Sequence, residues 1–225
     1  MSRSTNEEPT LEPIPAQLPG RARVDALASS ERDLYDRILA AFAAGTPPTP
    51  VSLAAAASTF GVDLERTLAT FAREDLVHHD PASGEILVAY PFSGTPRGHR
   101  VRIDGRHEVE AMCAIDALGI APMLDRQIEI RSRDPLTGAE VWVRLDPAEG
   151  AWWEPETAVV LDGCVATDGP SFRTYCVELN FFESGESALR YLIANPNVNG
   201  RAIPLPEAIE LGRSIFGDLL PHEGA

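Results

Sequence analysis

The sequence predicts an α+β protein: an N-terminal winged helix-turn-helix-like unit, then a mixed or antiparallel β-sheet domain covered by helices. Three observations predict it. Apolar residues recur at helical spacing in the first third of the chain, as in Leu34, Ile38, Leu39 and Phe42. Alternating apolar positions follow, Ile128 and Ile130, then Val141, Val143 and Leu145. Two further apolar stripes close the chain, about Ser184 to Ala194 and Pro206 to Leu220, each suited to covering a sheet. The expected divisions are a flexible tail over residues 1–28, the winged-helix-like unit over 29–92 and a second domain over 93–225.

The tail carries Pro9, Pro13, Pro15, Pro19 and Gly20 with few large apolar side chains. A first helix over Glu31 to Ala44 ends at the proline-rich turn Thr46 to Pro50. A second, about Ser52 to Thr59, leads through Phe60-Gly61-Val62 to a third, about Asp63 to Glu74. Extended segments Leu76 to His79 and Glu85 to Tyr90 flank Asp80-Pro81-Ala82-Ser83-Gly84, whose composition favours a turn. Three helices and a two-stranded wing usually mean DNA recognition. The charges argue otherwise: the third helix holds Asp63, Glu65 and Glu74 against Arg66 and Arg73, where a groove reader brings a basic surface. The unit is expected to be structural, packed on the second domain.

Composition narrows the function classes. The formal net charge is −15 and every basic residue is arginine, so nucleic acid is disfavoured as a partner. No apolar run approaches the roughly 18 residues that a membrane span requires. Met1 to Gly20 lacks the cationic-then-apolar pattern of a secretory signal, which points to the cytoplasm. Three cysteines, Cys113, Cys164 and Cys176, are an odd count and are expected to remain thiols.

In the second domain, Gly98 to Gly105 reads as a short strand and tight turn, and Asp134-Pro135-Leu136-Thr137-Gly138 as the turn of a β-hairpin. Thr157 to Leu161 is extended and precedes a glycine-rich connection around Gly163 and Gly169. Glu108 to Gly119 reads as a helix capped by its glycine, placing Cys113 and Asp116 one turn apart on the stripe that holds Val109 and Met112. Asp116 is then either a hydrated carboxylate or a desolvated one, and desolvation raises the pKa of an acid until it can donate protons near neutrality. Phe172 to Phe182 reads as a strand whose apolar face is Tyr175, Val177, Leu179 and Phe181. Cys176 shares the opposite face with Thr174, Glu178 and Asn180, which favours a site over core filler.

Two thiols and a carboxyl group suggest a soft-metal site with a proton source. The paired C-x-x-C spacings of structural zinc and of thioredoxin-like redox pairs are absent. Nucleophilic cysteine catalysis would need a histidine base. His99 and His107 are nearest in sequence but read as structural or surface residues, and His78, His79 and His222 carry no signal. Trp142, Trp152 and Trp153 read as packing residues or as pocket walls.

The residues Gly98-His99-Arg100, Asp104-Gly105, Cys113-Ala114-Ile115-Asp116-Ala117-Leu118 and Cys176, with Phe181-Phe182 beyond it, resemble the organomercurial lyases, also called alkylmercury lyases. In order and spacing the resemblance spans roughly residues 31 to 220, including the C-terminal helix with Phe216. It implies protonolysis of a carbon–mercury bond, giving a hydrocarbon and Hg(II) without an organic cofactor. Cys113 and Cys176 would be the mercury-binding pair and Asp116 the proton relay, also close to the metal. External thiols would support turnover, and Hg(II) would pass to cellular thiols or a mercuric reductase. Met112 stands where the family commonly has an aromatic residue, Val177 where it often has a second cysteine, and Cys164 has no counterpart. Two other functions stay open: a metal-binding or effector-sensing regulator, and an enzyme reusing the Cys-Cys-Asp site on another small molecule.

Overall fold

The computed structural model describes residues 23–165, 170–217 and 219–220. Most of the expected tail, Gly169 of the glycine-rich connection and His222 lie outside the described residues.

Helix α1, Ser29–Ala43, turns Leu34, Tyr35, Ile38, Leu39 and Phe42 into the core, as its periodicity requires. α2, Pro50–Phe60, starts where the Thr49 hydroxyl accepts from the Ser52 N–H, with proline in its first turn. α3, Leu64–Arg73, starts in the same way, the Asp63 carboxylate accepting from the Arg66 N–H at 2.9 Å. Strands β1, Val77–His79, and β2, Ile86–Ala89, pair antiparallel around the Asp80 turn. The short β3, Phe92–Ser93, joins them to the rest of the sheet.

The second half adds β4 (Arg100–Ile103), β5 (His107–Ala111), α4 (Ala114–Leu124), β6 (Ile128–Arg133), β7 (Glu140–Asp146) and β8 (Gly150–Glu154). It ends with β9 (Val159–Val165), α5 (Ser171–Thr174), β10 (Phe181–Phe182), α6 (Gly185–Ala194), β11 (Val198–Pro204) and α7 (Leu205–Phe216). Eight strands form one antiparallel sheet in the order β1-β2-β3-β5-β4-β6-β7-β8, and β10-β9-β11 form a second. Inward-facing Val101, Ile103, Ile128, Ile130, Val141 and Val143 are fully or almost fully buried. They share one apolar cluster with Phe42 and Phe71 from the N-terminal helices and with Leu118 and Phe216 from α4 and α7.

Helices α4 and α7 pack unusually closely. A Cβ on Gly212 would sit 2.9 Å from the Gly119 nitrogen and 3.1 Å from the Ile115 carbonyl oxygen, and one on Gly119 would meet the Phe216 ring at 2.2 Å. Two glycines thus let the helices approach until backbone touches backbone.

Two expectations are corrected. Glu108 to Ala111 is not helical: it belongs to β5, hydrogen-bonded to β4 on one side and β3 on the other, with Val109 and Ala111 buried and Glu110 turned outward. Sheet pairing on both edges overrides the helical preference of Glu and Ala. Helix α4 begins only at Ala114, runs through Gly119 and ends at Asp125 in the left-handed conformation. Phe172 to Phe182 is not a continuous strand either. It holds the short helix α5, a series of turns, and then only the two residues of β10, because local bonds such as Cys176 N–H to Ser171 O claim the backbone first. The alternation that separated Cys176 from Tyr175 and Val177 therefore has no sheet behind it. Strands β3, β8 and β11 were not foreseen.

Candidate active site

Cys113 ends the passage from β5 into α4. Its backbone is extended, φ −154° and ψ −179°, and its sulfur accepts from the Asp116 N–H at 3.4 Å, the position of a helix N-cap. The cap places the thiol over the first turn, where Asp116 points back toward it. The Cys113 Sγ–H donates to Asp116 Oδ2 at 2.8 Å. Cys176, in the turn after α5, brings its Sγ to 3.8 Å from the same oxygen. The two sulfurs and the carboxylate oxygen all lie within 4.8 Å of one another.

All three residues are buried, Asp116 at 5% exposure. Burial is the main force on the carboxyl group and pushes its pKa up to about 7; bonds from the two thiols and the positive charge of Arg23 oppose that rise. An acid in that range is divided between its two forms at neutral pH, as a group that takes and returns a proton must be. Burial also drives the Cys113 thiol well above its ordinary value, helped by the neighbouring Cys176 and Asp116. At Cys176 the bond with Cys113 pulls the pKa down, but burial and the Asp116 charge win, and the thiol is raised. Both sulfurs therefore hold their protons at rest and release them when a thiophilic centre binds.

A narrow cavity opens beside the three groups, with about 40 Å³ of free space. On that scale one water needs roughly 10–15 Å³, so the space suits a small ligand. Ile115, Leu179, Leu211, Ile215 and Phe216 supply an apolar wall, and Arg23, Tyr90 and Ser171 supply polar groups. Sequence reasoning missed those three. Arg23 and Tyr90 come from the N-terminal region, and no local pattern announces that they will meet residues far along the chain. The Tyr90 hydroxyl faces the Cys176 thiol, and Arg23 Nε is buried with no hydrogen-bond partner among the described residues.

The remaining candidates lie elsewhere. His99 is buried, pairs through Nδ1 with the Ser132 hydroxyl at 2.9 Å, and packs edge-on against Phe181. Burial lowers its pKa to about 4, so it is a neutral core residue. His107 is exposed on β5. Trp142 lies under the Arg131 guanidinium, and none of the three tryptophans lines the cavity. Cys164 lies on β9, outside the three-residue group.

The sequence model of the alkylmercury lyases matches residues 92–217, more than half of the chain and the whole segment that carries both cysteines and Asp116. The chain belongs to the alkylmercury lyase family. An alkylmercury lyase of Staphylococcus epidermidis is 32% identical over 57% of this chain and 58% of its own length. One from Bacillus cereus is 33% identical over 52% of this chain and 53% of its own. These matches span little more than half of the relatives' length. One from Streptomyces lividans is 29% identical over 86% of both chains. Among solved structures, the fold resembles that titled the mercury-bound form of MerB2, with a TM-score of 0.72, 21% identity, and coverage of 89% of this chain and 96% of that one.

Proposed function

We propose that this protein cleaves the carbon–mercury bond of organomercurials by protonolysis, with Cys113 and Cys176 taking the mercury and Asp116 moving the proton. The observation that carries this reading is the convergence of two thiols and one carboxyl group within 4.8 Å in a buried pocket. One sulfur attacks mercury through its lone pair and displaces the incoming ligand, its own proton leaving with that ligand as the proton released overall. The second follows and yields its proton to Asp116, which already accepts a bond from Cys113. Two thiolate donors increase the electron density on the mercury-bound carbon. That carbon takes the proton from Asp116, the carbon–mercury bond breaks, and a hydrocarbon leaves. The balance is one organomercury cation and two thiols giving one hydrocarbon, one dithiolate-bound Hg(II) and one proton.

No organic cofactor takes part in this scheme. External thiols extract Hg(II) for the next turnover, and cellular thiols or a mercuric reductase receive it in the cytoplasm. Among the described residues no helix is long and apolar enough to cross a membrane. Residues 29–92 are read as a winged-helix-like unit that supports the catalytic domain over 93–225. Its third helix, with Glu65 in the first turn and Glu74 at its end, offers phosphates little attraction.

Incubating purified protein with methylmercury and excess thiol should release methane. Cys113→Ser, Cys176→Ser and Asp116→Ala should each suppress it. Stoichiometric binding of Hg(II) with no hydrocarbon from the wild type would overturn the lyase reading in favour of a metal-binding role.

A further inference from the structure

Beside Arg23 and Tyr90, the N-terminal region holds the element that carries Cys176 through Asp75, which follows α3. Its carboxylate accepts at Oδ2 from the Ser171 N–H at 3.3 Å and from the Ser171 hydroxyl. Its other oxygen, Oδ1, is 2.6 Å from His78 Nε2. The Asp75 carbonyl accepts from the Arg23 guanidinium at 3.1 Å. The backbone of Asp75 is left-handed, φ +53°, a conformation that Asp tolerates better than most residues. Burial opposes ionisation, yet the bonds from His78 and Ser171 hold the carboxyl group below its ordinary pKa, so it stays charged.

Ser171 opens α5, and its carbonyl accepts from the N–H of Tyr175 at 2.9 Å and of Cys176 at 3.0 Å. The same residue that donates twice to the Asp75 carboxylate thus holds, through its carbonyl, the backbone of the second sulfur. The His78 ring packs against Phe172, centroids 4.9 Å apart, so the next residue of α5 is held by strand β1, just beyond Asp75. The turn carrying Cys176 follows the one-turn helix α5 and has little regular structure of its own. A partly buried charged hydrogen bond from outside that turn is the kind of contact that fixes it.

We infer that Asp75 is a positioning residue for mercury capture: through Ser171 it holds the Cys176 turn so that both sulfurs address one atom, which gives the N-terminal region a part in the reaction. The inference rests on the lyase reading for its purpose, but its geometry needs only a thiophilic ligand shared by the two cysteines. Losing the clamp should leave Cys113, fixed as a helix cap, able to bind mercury while Cys176 wanders.

The test uses the full chain loaded with one equivalent of mercuric chloride, then alkylated with iodoacetamide and read peptide by peptide. In wild type both Cys113 and Cys176 should be protected. In Asp75→Ala and Ser171→Ala, Cys176 should be labelled at least tenfold faster while Cys113 stays protected, and the double variant should show no further loss because the two residues share one link. Ser171→Thr, which keeps the hydroxyl, should restore protection. Wild-type protection of Cys176 in both alanine variants would overturn the inference, and so would equal labelling of both cysteines, which reports general loosening. Labelling requires no bond cleavage, so an absence of methane from the wild type would refute the lyase reading while leaving this test intact.

Discussion

Cys113 caps the helix whose first turn carries Asp116, and its thiol donates to that same carboxylate at 2.8 Å. One local motif therefore fixes the donor, the acceptor and their separation, with no need for a distant residue to align them. Its consequences separate activity from stability.

Cys113→Ser should keep the fold and lose the chemistry. Serine is a strong N-cap, so helix α4 should hold or gain up to about 1 kcal/mol. A hydroxyl is a poor ligand for a soft metal, so methane release should fall at least a hundredfold. Urea denaturation and headspace analysis on the same preparation check both halves. Cys164→Ser, outside the thiol–carboxyl group, should keep near wild-type release.

Asp116→Asn should stabilise the folded state as it removes activity. A carboxyl group raised to about 7 in the fold, from about 4 in the unfolded chain, favours folding less as pH climbs through that window. The folded form keeps a proton that the unfolded form releases. The stability gained by the amide should therefore be small near pH 4 and grow toward pH 7, with an upper value of roughly 4 kcal/mol from the size of the shift. Denaturant midpoints of both proteins at several pH values measure the difference, and a gap independent of pH would refute it.

His99 should act in the opposite direction. Its pKa falls from an ordinary 6.5 to about 4 in the fold, so the unfolded chain takes up a proton that the folded one refuses. Stability is lost as pH drops from about 6.5 toward 4. His99→Gln, retaining a hydrogen-bonding group beside Ser132, should flatten that part of the profile while leaving methane release near neutrality within a few-fold of wild type. A steep acid loss that persists in the variant would count against burial of a neutral imidazole.

Gly212→Ala should cost about 1–3 kcal/mol, because the added methyl meets backbone atoms of α4 that cannot step aside without moving the helix. The displaced helix carries Ile115 and Asp116, so kcat should drop as well. Thermal unfolding and the rate of methane release measure the two effects. Gly61→Ala serves as the comparison: it meets no neighbour, and its penalty is confined to the local strain of φ +67°.

Much of the N-terminal half was legible because its helices carry their own signals: apolar spacing in α1, the Thr49 and Asp63 caps, the Asp80 turn. The hairpin of β6 and β7 was legible for the same reason, alternation joined to a turn. Glu108 to Ala111 misled because glutamate and alanine favour a helix and only partners on both edges make them a strand. The turn holding Cys176 was hidden by an alternation that no neighbouring strand enforces.

Sequence alone determined the chemical cast: two cysteines and an aspartate in recognisable motifs, a strongly acidic chain without lysine, and those helices and hairpins that carry their own local signals. Those properties belong to residues and their near neighbours along the chain. Tertiary structure decided that Cys176 meets Asp116, that burial lifts the carboxyl group to about 7, that Tyr90 and Arg23 line the same pocket, and that Asp75 bonds Ser171 at its edge. Desolvation and long-range hydrogen bonds exist only once the chain has closed on itself, and so no reading of local pattern could supply them.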